Sequence, residues 1–319
     1  MSQVKCYRIN LESEEYAEAL GFAVYTYLTG AIAKRDLYKG GATRYLGEYL
    51  EHVLRGKLAE IAFKKFLLLN FDFRVITDID LPGYIPGKYL PDILAFKNKA
   101  KWQVPQFWVD VKALTEEQKW MLVRASSIRG GERAKPRPYD AYVNVRVLLP
   151  RDHIGRLIKY APLIKNKISK EWKRRMQDLK SVEAEILGFA TYHDVANILQ
   201  VYEAQLQPPQ KKKLGNKLNR LFGQGNWNFF KKGHPLPDPD TGEKTVELGS
   251  DNCAIVLSKL RTDKHWGKLL KMFRKNQPLV TQRPPDLQRK LERRVKQLLG
   301  KLSISKKSQS WWQRNLGSQ

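Results

Sequence analysis

The chain has 319 residues, 42% of them hydrophobic, which is enough to bury the core of one large domain or of a core domain with an appendage. Its formal net charge of +26 favours a polyanionic partner, of which nucleic acid is the commonest. Two isolated cysteines and no apolar stretch of bilayer length argue against a disulfide framework, a zinc site and a membrane protein, and favour a soluble protein of the reducing cytoplasm.

The positive charge is concentrated in the C-terminal third. From Leu206 onward there are 25 Lys and Arg residues against 8 Asp and Glu residues, a surplus of 17. This distribution predicts a surface that contacts a nucleic-acid backbone, and a basic tail that serves only solubility is the alternative.

Two helices are predicted in the first part of the chain. Ser13 to about Leu37 has the composition of a buried helix, and a longer helix from about Arg44 to Leu69 follows the break at Gly40-Gly41. Glu60 falls on a largely apolar stripe of the second helix, where an unpaired charge is costly. It is therefore a candidate site residue, unless it is exposed or pairs with Lys57 or Lys64.

The stretch from Leu90 to Lys112 carries the strongest candidate site. After a predicted strand at Phe71 to Thr77, Asp92 lies at the start of one strand-forming run, ILAF, and Asp110 and Lys112 lie in a second, FWVDVKAL. A hairpin of these two runs would bring the three side chains together. Because side chains alternate along a strand, Asp110 and Lys112 are expected on the same face.

Two carboxylates held this close repel each other unless a cation lies between them. Oxygen ligands of this kind suit Mg²⁺, with Mn²⁺ as a possible substitute. The sequence therefore predicts a metal site at a sheet edge. The alternative is that Asp92 and Asp110 are turn or edge-strand acids and that Lys112 is solvated.

A basic segment follows the candidate site. A helix is predicted from about Glu116 to Ile128, with Thr115 and Gln118 as its capping box, and the loop RGGERAKPRPY comes next. The candidate contacts to DNA phosphates or base edges are Arg124, Ser127, Arg129, Arg133, Lys135 and Arg137. A flexible, solvated loop is the alternative.

Two further strands are predicted at Asp140 to Leu149 and at Val182 to Tyr192, separated by a basic helical insertion. Beyond Gln205, PPQKKKLGNK is typical of a linker and DPDTGEK of a hairpin. Helices are predicted near Lys264 to Lys275 and Asp286 to Leu299. The tryptophans expected in a minor core are Trp227 and Trp266, whereas Trp311 and Trp312 are expected to be exposed.

The pair Pro91-Asp92 followed by Asp110-Val111-Lys112 resembles the motif of the PD-(D/E)xK nuclease superfamily. The bare pattern is weak, because Pro-Asp and acid-x-Lys recur elsewhere in the chain. However, no acid-x-Lys triplet lies downstream of the later Pro-Asp pairs, and Glu117-Gln118-Lys119 falls on the predicted helix. The order of predicted elements from Arg44 to Tyr192 also resembles the superfamily core.

This resemblance implies an α/β fold with a restriction-endonuclease-like core, a central mixed β-sheet flanked by helices, followed by a basic and mostly helical C-terminal region. The implied divisions are an N-terminal segment, 1–43, the nuclease core, 44–205, and a DNA-binding region, 206–319. It also implies that Glu60 joins Asp92, Asp110 and the main-chain carbonyl of Val111 around one or two Mg²⁺ ions, with Glu51 as the reserve acid. Lys112 would then orient the attacking water or stabilise the transition state.

The excess length and its basic composition favour a type II restriction endonuclease that cuts double-stranded DNA to 5′-phosphate and 3′-hydroxyl ends. Such an enzyme is expected to be a homodimer and to be paired with a DNA methyltransferase. Junction resolvases are usually smaller, and the Gln-x-x-x-Tyr motif of RecB-type exonucleases is broken, since Leu122 stands four residues after Gln118. A repair- or transposition-associated nuclease, RNA cleavage and a non-catalytic DNA-binding protein remain alternatives.

Overall fold

The computed structural model describes residues 6–28, 38–39, 42–43, 45–80, 91–99, 101–129, 139–151, 153–154, 181–204, 206–280 and 285–304. The described strands are β1 (Tyr7–Glu12), β2 (Tyr38–Lys39), β3 (Ala42–Thr43), β4 (Val75–Ile76), β5 (Ala95–Asn98), β6 (Lys101–Gln103), β7 (Val109–Leu114), β8 (Trp120–Arg124), β9 (Ala141–Leu148), β10 (Ser181–Thr191), β11 (Trp227–Phe230), β12 (Pro235–Pro237), β13 (Lys244–Glu247) and β14 (Asn252–Val256). The described helices are α1 (Ser13–Leu28), α2 (Leu46–Phe71), α3 (Ser126–Arg129), α4 (Tyr192–Glu203), α5 (Pro208–Phe222), α6 (Lys264–Lys275) and α7 (Pro285–Ile304).

The main sheet is mixed and has the strand order β1-β10-β9-β7. β10 is antiparallel to both β1 and β9, whereas β7 runs parallel to β9. A parallel pair needs a crossover connection, which here passes through β8 and α3. The prediction of an α/β chain with a mixed sheet flanked by helices is therefore confirmed.

The two faces of the sheet are covered by different helices. Along β9, Val143 and Val145 pack with α2 residues such as Leu58 in one buried cluster, whereas Tyr142 packs with the α4 residue Ile198 in another. This alternation follows from the period-two geometry of a strand. β9 and β10, covered on both faces, agree with the strands predicted at Asp140 to Leu149 and Val182 to Tyr192.

The two N-terminal helices are found close to their predicted positions. α1 begins at Ser13 as predicted, and residues 29–37, the end of the predicted helix, lie outside the described residues. α2 matches the predicted span within two residues at each end. Its buried residues include Leu54, Leu58 and Phe66, spaced as expected for a helix face that packs on a sheet.

The predicted hairpin between the two strands of the candidate site is wrong. β5 pairs with β4 and β6, and β7 pairs with β9 instead. The chain turns back directly after β5, at Lys99, whose φ of 55° is a turn conformation, so the hairpin partner comes earlier than predicted. The strand predicted at Phe71 to Thr77 is reduced to Val75–Ile76, because α2 extends to Phe71.

The helix predicted from about Glu116 to Ile128 is also wrong. The Thr115 N–H donates to Gln118 Oε1 at 2.9 Å, which closes a turn and not a helical cap, and β8 begins at Trp120. β8 pairs along its whole length with β14, so Cys253 lies opposite Val123. The strand is formed by a partner about 130 residues away in sequence, which no local pattern can reveal.

The C-terminal region is joined to the predicted core. Trp266 of α6 is fully buried and its ring lies 4.9 Å from Phe66 of α2 and 4.8 Å from Phe189 of β10. The backbones of Arg261 and Phe189 exchange two hydrogen bonds. These hold Arg261 against β10, next to the bulge at Gly188. A Cβ on Gly188, whose φ is 134°, would lie 2.7 Å from the Arg261 carbonyl oxygen.

The other C-terminal predictions have mixed outcomes. The predicted linker PPQKKKLGNK is wrong, because it lies in α5, where Leu218 and Phe222 are buried and proline occupies the first turn. The hairpin at DPDTGEK and the helices α6 and α7 are confirmed. Trp266 is buried, but in the main core cluster with α2 and β10 and not in the predicted minor core, whereas Trp227 is partly buried against the second cluster. The division at 205 stays a prediction, although both sides share the sheet β11-β14-β8.

Among the described helices, none has both the length and the apolar composition that crossing a bilayer requires. The basic insertion at 155–180, most of the loop RGGERAKPRPY and the pair Trp311 and Trp312 lie outside the described residues.

Candidate active site

The structure brings Asp92, Asp110 and Lys112 together, although not through the predicted hairpin. Asp92 precedes β5, and its side-chain Oδ2 accepts a hydrogen bond from the Val111 N–H at 2.5 Å, while its own N–H donates to the Val109 carbonyl at 3.2 Å. The Asp92 segment therefore lies along β7. Lys112 Nζ lies 2.8 Å from Asp110 Oδ2, which places these two side chains on the same face of β7, as alternation predicts.

The surroundings of Asp92 disfavour the charged form of its carboxyl group. Removal from water and the negative charge of Asp110 raise its pKa to about 7, against the opposing effects of Lys57 and the Val111 N–H. Loss of water is the larger cause, and the nearby charge of Asp110 adds to it. A cation placed between Asp92 and Asp110 would relieve this repulsion.

Glu60 of α2 forms the ion pair with Lys57 that the sequence offered as the alternative to a site role, and it also lies close enough to Asp92 to interact with its charge. Its side chain is only 8% exposed, and Oε1 accepts a hydrogen bond from Lys57 Nζ at 2.6 Å. Oε2 is buried and has no hydrogen-bond partner among the described residues. Burial first, then the charges of Asp78 and Asp92, raise the pKa of Glu60 well above its ordinary value, although Lys57 opposes them.

Sequence reasoning missed Asp78 as a site residue and treated Lys57 only as an alternative partner for Glu60. Lys57 Nζ lies 2.9 Å and 2.8 Å from the two carboxylate oxygens of Asp78, and all three side chains are largely buried. Burial by itself lowers the pKa of Lys57, but Asp78, Glu60 and Asp92 together hold it above its ordinary value. The signal for Asp78 was its place directly after the strand predicted at Phe71 to Thr77.

The carboxylates of the cluster are the type of ligand that magnesium prefers, but they are not arranged around a common point. Four carboxylates face two ammonium groups, so a formal surplus of two negative charges remains. Within the described residues, no three Asp, Glu, His or Cys side chains form a group that could hold a metal ion. The unpartnered Glu60 Oε2 and the mutual repulsion of Asp92 and Asp110 fit a hard divalent cation.

The predicted DNA contacts have different environments. Arg124 is exposed at the end of β8, and Ser127 is half-buried in α3. Arg129 donates to Glu203 Oε2 at 2.6 Å and lies 2.9 Å from Asp251 Oδ2, so its charge is already neutralised by two acids. The remaining candidates, Arg133, Lys135 and Arg137, lie outside the described residues.

Glu51, the reserve acid, is itself partly exposed and belongs to a separate network with the buried residues His153 and Tyr16. Its Oε2 lies 2.7 Å from His153 Nε2, and the opposite nitrogen of that ring, Nδ1, lies 2.5 Å from the Tyr16 hydroxyl. Arg55 also contacts Glu51 and donates to the Val147 carbonyl at 2.7 Å, which connects α2 to β9. The hydrogen bond from His153, followed by that from Arg55, lowers the pKa of Glu51 to about 2 despite partial burial.

This network predicts a loss of stability in acid. Because the folded-state pKa of Glu51 is depressed, its contribution is complete above its unfolded pKa of about 4.3 and is lost as the pH falls toward 2. We expect Glu51→Gln to be less stable than the wild type in urea at pH 6 and the difference to shrink steadily below about pH 4.3. A difference that is constant over this range would contradict the assignment.

Comparison of the chain with protein-family models, curated proteins and solved structures found no match at any of the three levels. The functional assignment therefore depends on the chemistry of the cluster around Asp92, Asp110 and Lys112, and on the spacing of these residues in the chain.

Proposed function

We propose that the chain is a magnesium-dependent endonuclease of the PD-(D/E)xK superfamily that hydrolyses DNA phosphodiester bonds. The observation that supports this most directly is the convergence of Asp92, Asp110 and Lys112 on β7, with the Asp92 carboxylate held against the Val111 N–H. Acids and an amine in this arrangement have the chemical types that metal-assisted phosphodiester hydrolysis requires. The basic composition of the chain supports a polyanionic substrate.

The proposed roles divide between holding the ion and stabilising charge. Asp92, Asp110 and the free Oε2 of Glu60 would hold Mg²⁺, or Mn²⁺ in its place, with the Val111 carbonyl as a further ligand. When bound, the ion supplies Lewis-acid activation of water near neutral pH and neutralises charge on the scissile phosphate. Lys112 donates hydrogen bonds to the water or to the phosphoryl oxygens, where negative charge develops during the reaction.

The most specific form of the proposal is a type II restriction endonuclease that produces 5′-phosphate and 3′-hydroxyl ends. It would act as a homodimer, since the two-fold symmetry of a palindromic site matches that of a dimer, and it would be paired with a DNA methyltransferase. A repair- or transposition-associated nuclease of the same superfamily would use the same centre. The fragment pattern distinguishes these alternatives.

The exposed face of α6 is the best described candidate for contact with the DNA backbone. Its buried face includes Trp266 and Phe273, and the Phe273 ring lies 5.7 Å from Phe107, close to the start of β7. The opposite face carries a lysine stripe at helical spacing, defined here as Lys264, Lys268, Lys271 and Lys275. These lysines are exposed, and no ion pair joins them to another residue of the described ranges.

Neutralising part of the lysine stripe should weaken DNA binding in a salt-dependent way. We expect the double variant Lys268→Gln/Lys271→Gln to reduce the slope of log affinity against log salt by about 2, because each phosphate contact contributes roughly 0.9. Fluorescence anisotropy with a labelled duplex measures the DNA affinity at each salt concentration, and hence this slope. The control is Lys244→Gln, an exposed lysine of β13 that is next to Glu243. Equal slopes for the double variant and the wild type would show that the lysine stripe does not contact the DNA backbone.

The direct test of the proposed function is incubation of supercoiled and linear DNA with the full chain in Mg²⁺ and then in EDTA. Discrete fragments that EDTA abolishes are expected, and sequencing of their ends identifies the cleavage position. Degradation from DNA ends would replace the endonuclease by an exonuclease. A gel shift without cleavage in Mg²⁺ or Mn²⁺ would overturn the enzymatic proposal in favour of a DNA-binding protein.

A further inference from the structure

Lys57 provides a fixed positive charge inside the cluster around Asp92. Its side chain is 13% exposed, its ammonium group contacts Glu60 and both oxygens of Asp78, and it also lies 5.1 Å from the centre of the Phe22 ring. The ammonium is therefore surrounded by partners on several sides. A cation held in this way is a permanent part of the site.

The contacts of Lys57 divide the cluster into two halves. In one half, Lys57 forms ion pairs with the Asp78 carboxylate and with Oε1 of Glu60. In the other half, Lys112 contacts Asp110, and Asp92 has only the Val111 N–H as a hydrogen-bond donor from β7. Glu60 Oε2 is the one fully buried side-chain atom of this group that has no hydrogen-bond partner among the described residues.

The charges of the two halves set the number of ions that the cluster can accept. When all four carboxylates are ionised, as the ligands of a cation must be, Asp78, Glu60, Asp92 and Asp110 carry two more negative charges than Lys57 and Lys112 compensate. One divalent cation cancels this surplus. A second would leave an excess positive charge of two in a largely buried region, which is strongly unfavourable without further anions.

We propose that the centre binds a single divalent ion, held by Asp92, Asp110 and Glu60 Oε2, and that Lys57 is the built-in counter-cation of the cluster. This inference depends on the proposed nuclease function, because it concerns the same centre. Lys57 is a positioning residue: it holds Glu60 by Oε1 and leaves Oε2 free for the ion.

The test counts the Mn²⁺ ions bound by the full chain without DNA, using electron paramagnetic resonance of the free ion at increasing Mn²⁺. One bound ion per chain is expected for the wild type, and Asp110→Asn should remove it. Two bound ions in the wild type would overturn the single-ion inference while leaving the nuclease proposal intact. No bound ion, together with no cleavage in Mg²⁺, would overturn both.

Variants of Lys57 test its role as counter-cation. Lys57→Met raises the negative surplus to three, which one divalent ion reduces but does not cancel, so the variant is expected to bind its single ion more tightly than the wild type does. The double variant Lys57→Met/Asp78→Asn restores a surplus of two and should bind one ion, which also keeps the test valid if Lys57→Met does not fold. The matched control is Lys64→Met, because Lys64 lies on the same helix as Lys57 and pairs with Asp80, which is outside the cluster. An unchanged affinity in folded Lys57→Met, or two ions bound by the double variant, would refute the role of Lys57.

Discussion

Asp110→Asn and Lys112→Ala are each expected to reduce magnesium-dependent plasmid cleavage by about 100-fold or more. Asp110→Asn removes a negative ligand while keeping the shape of the side chain, and Lys112→Ala removes the amine that stabilises charge at the phosphate. Both side chains are partly exposed and lie on the surface of β7, so the fold should be retained. Initial rates of supercoiled-plasmid loss at saturating Mg²⁺ give the comparison.

The control for these variants comes from the competing acid-x-Lys triplet. Glu117→Gln changes an exposed carboxylate in the turn before β8, outside the cluster, and should cleave at the wild-type rate. Circular dichroism and urea unfolding would establish that all three variants are folded. Wild-type cleavage by either Asp110→Asn or Lys112→Ala would mean that β7 does not carry the active site.

Lys57→Met is expected to lower the free energy of unfolding by about 3–5 kcal/mol in the absence of divalent ions. The substitution keeps the length of the side chain but leaves the buried carboxylates of Glu60 and Asp78 without their cation. An uncompensated buried charge costs far more than the loss of an exposed ion pair. Urea unfolding at neutral pH with EDTA measures the effect.

Two comparisons separate this effect from a general sensitivity of α2. Lys57→Met/Asp78→Asn should regain part of the lost stability, because one of the stranded charges is removed. Lys64→Met breaks the more exposed pair with Asp80 and should cost about 1 kcal/mol or less. If Lys57→Met costs no more than Lys64→Met, the Lys57 ion pairs do not stabilise the cluster.

The parts of the fold that the sequence predicted are those with strong local periodicity. α2, β9, β10 and α6 each repeat apolar residues at the spacing of their own secondary structure, so their positions follow from the chain alone. The shared face of Asp110 and Lys112 was predictable for the same reason, since residues two apart on a strand point to one side.

Long-range pairing accounts for the main errors. Trp120–Arg124 follows a turn that resembles a helix start, yet it is a strand because β14 lies beside it. Asp92 reaches Asp110 through its hydrogen bond to the Val111 N–H, while the hairpin partner of β5 is β6. Among the candidate DNA contacts, Arg129 is neutralised by acids from α4 and from the turn before β14, which sequence spacing does not reveal.

The sequence by itself determined the mixed α/β character of the chain, its positive charge and the acid and amine residues of the candidate site, because these depend on residue type and local spacing. Only the tertiary structure placed Asp78 against Lys57, left Glu60 Oε2 without a hydrogen-bond partner among the described residues and put Glu51 into the separate network with His153. The reason is physical: a buried charge must be balanced by whatever the folded chain brings within a few ångströms, and that neighbour can come from any point in the sequence.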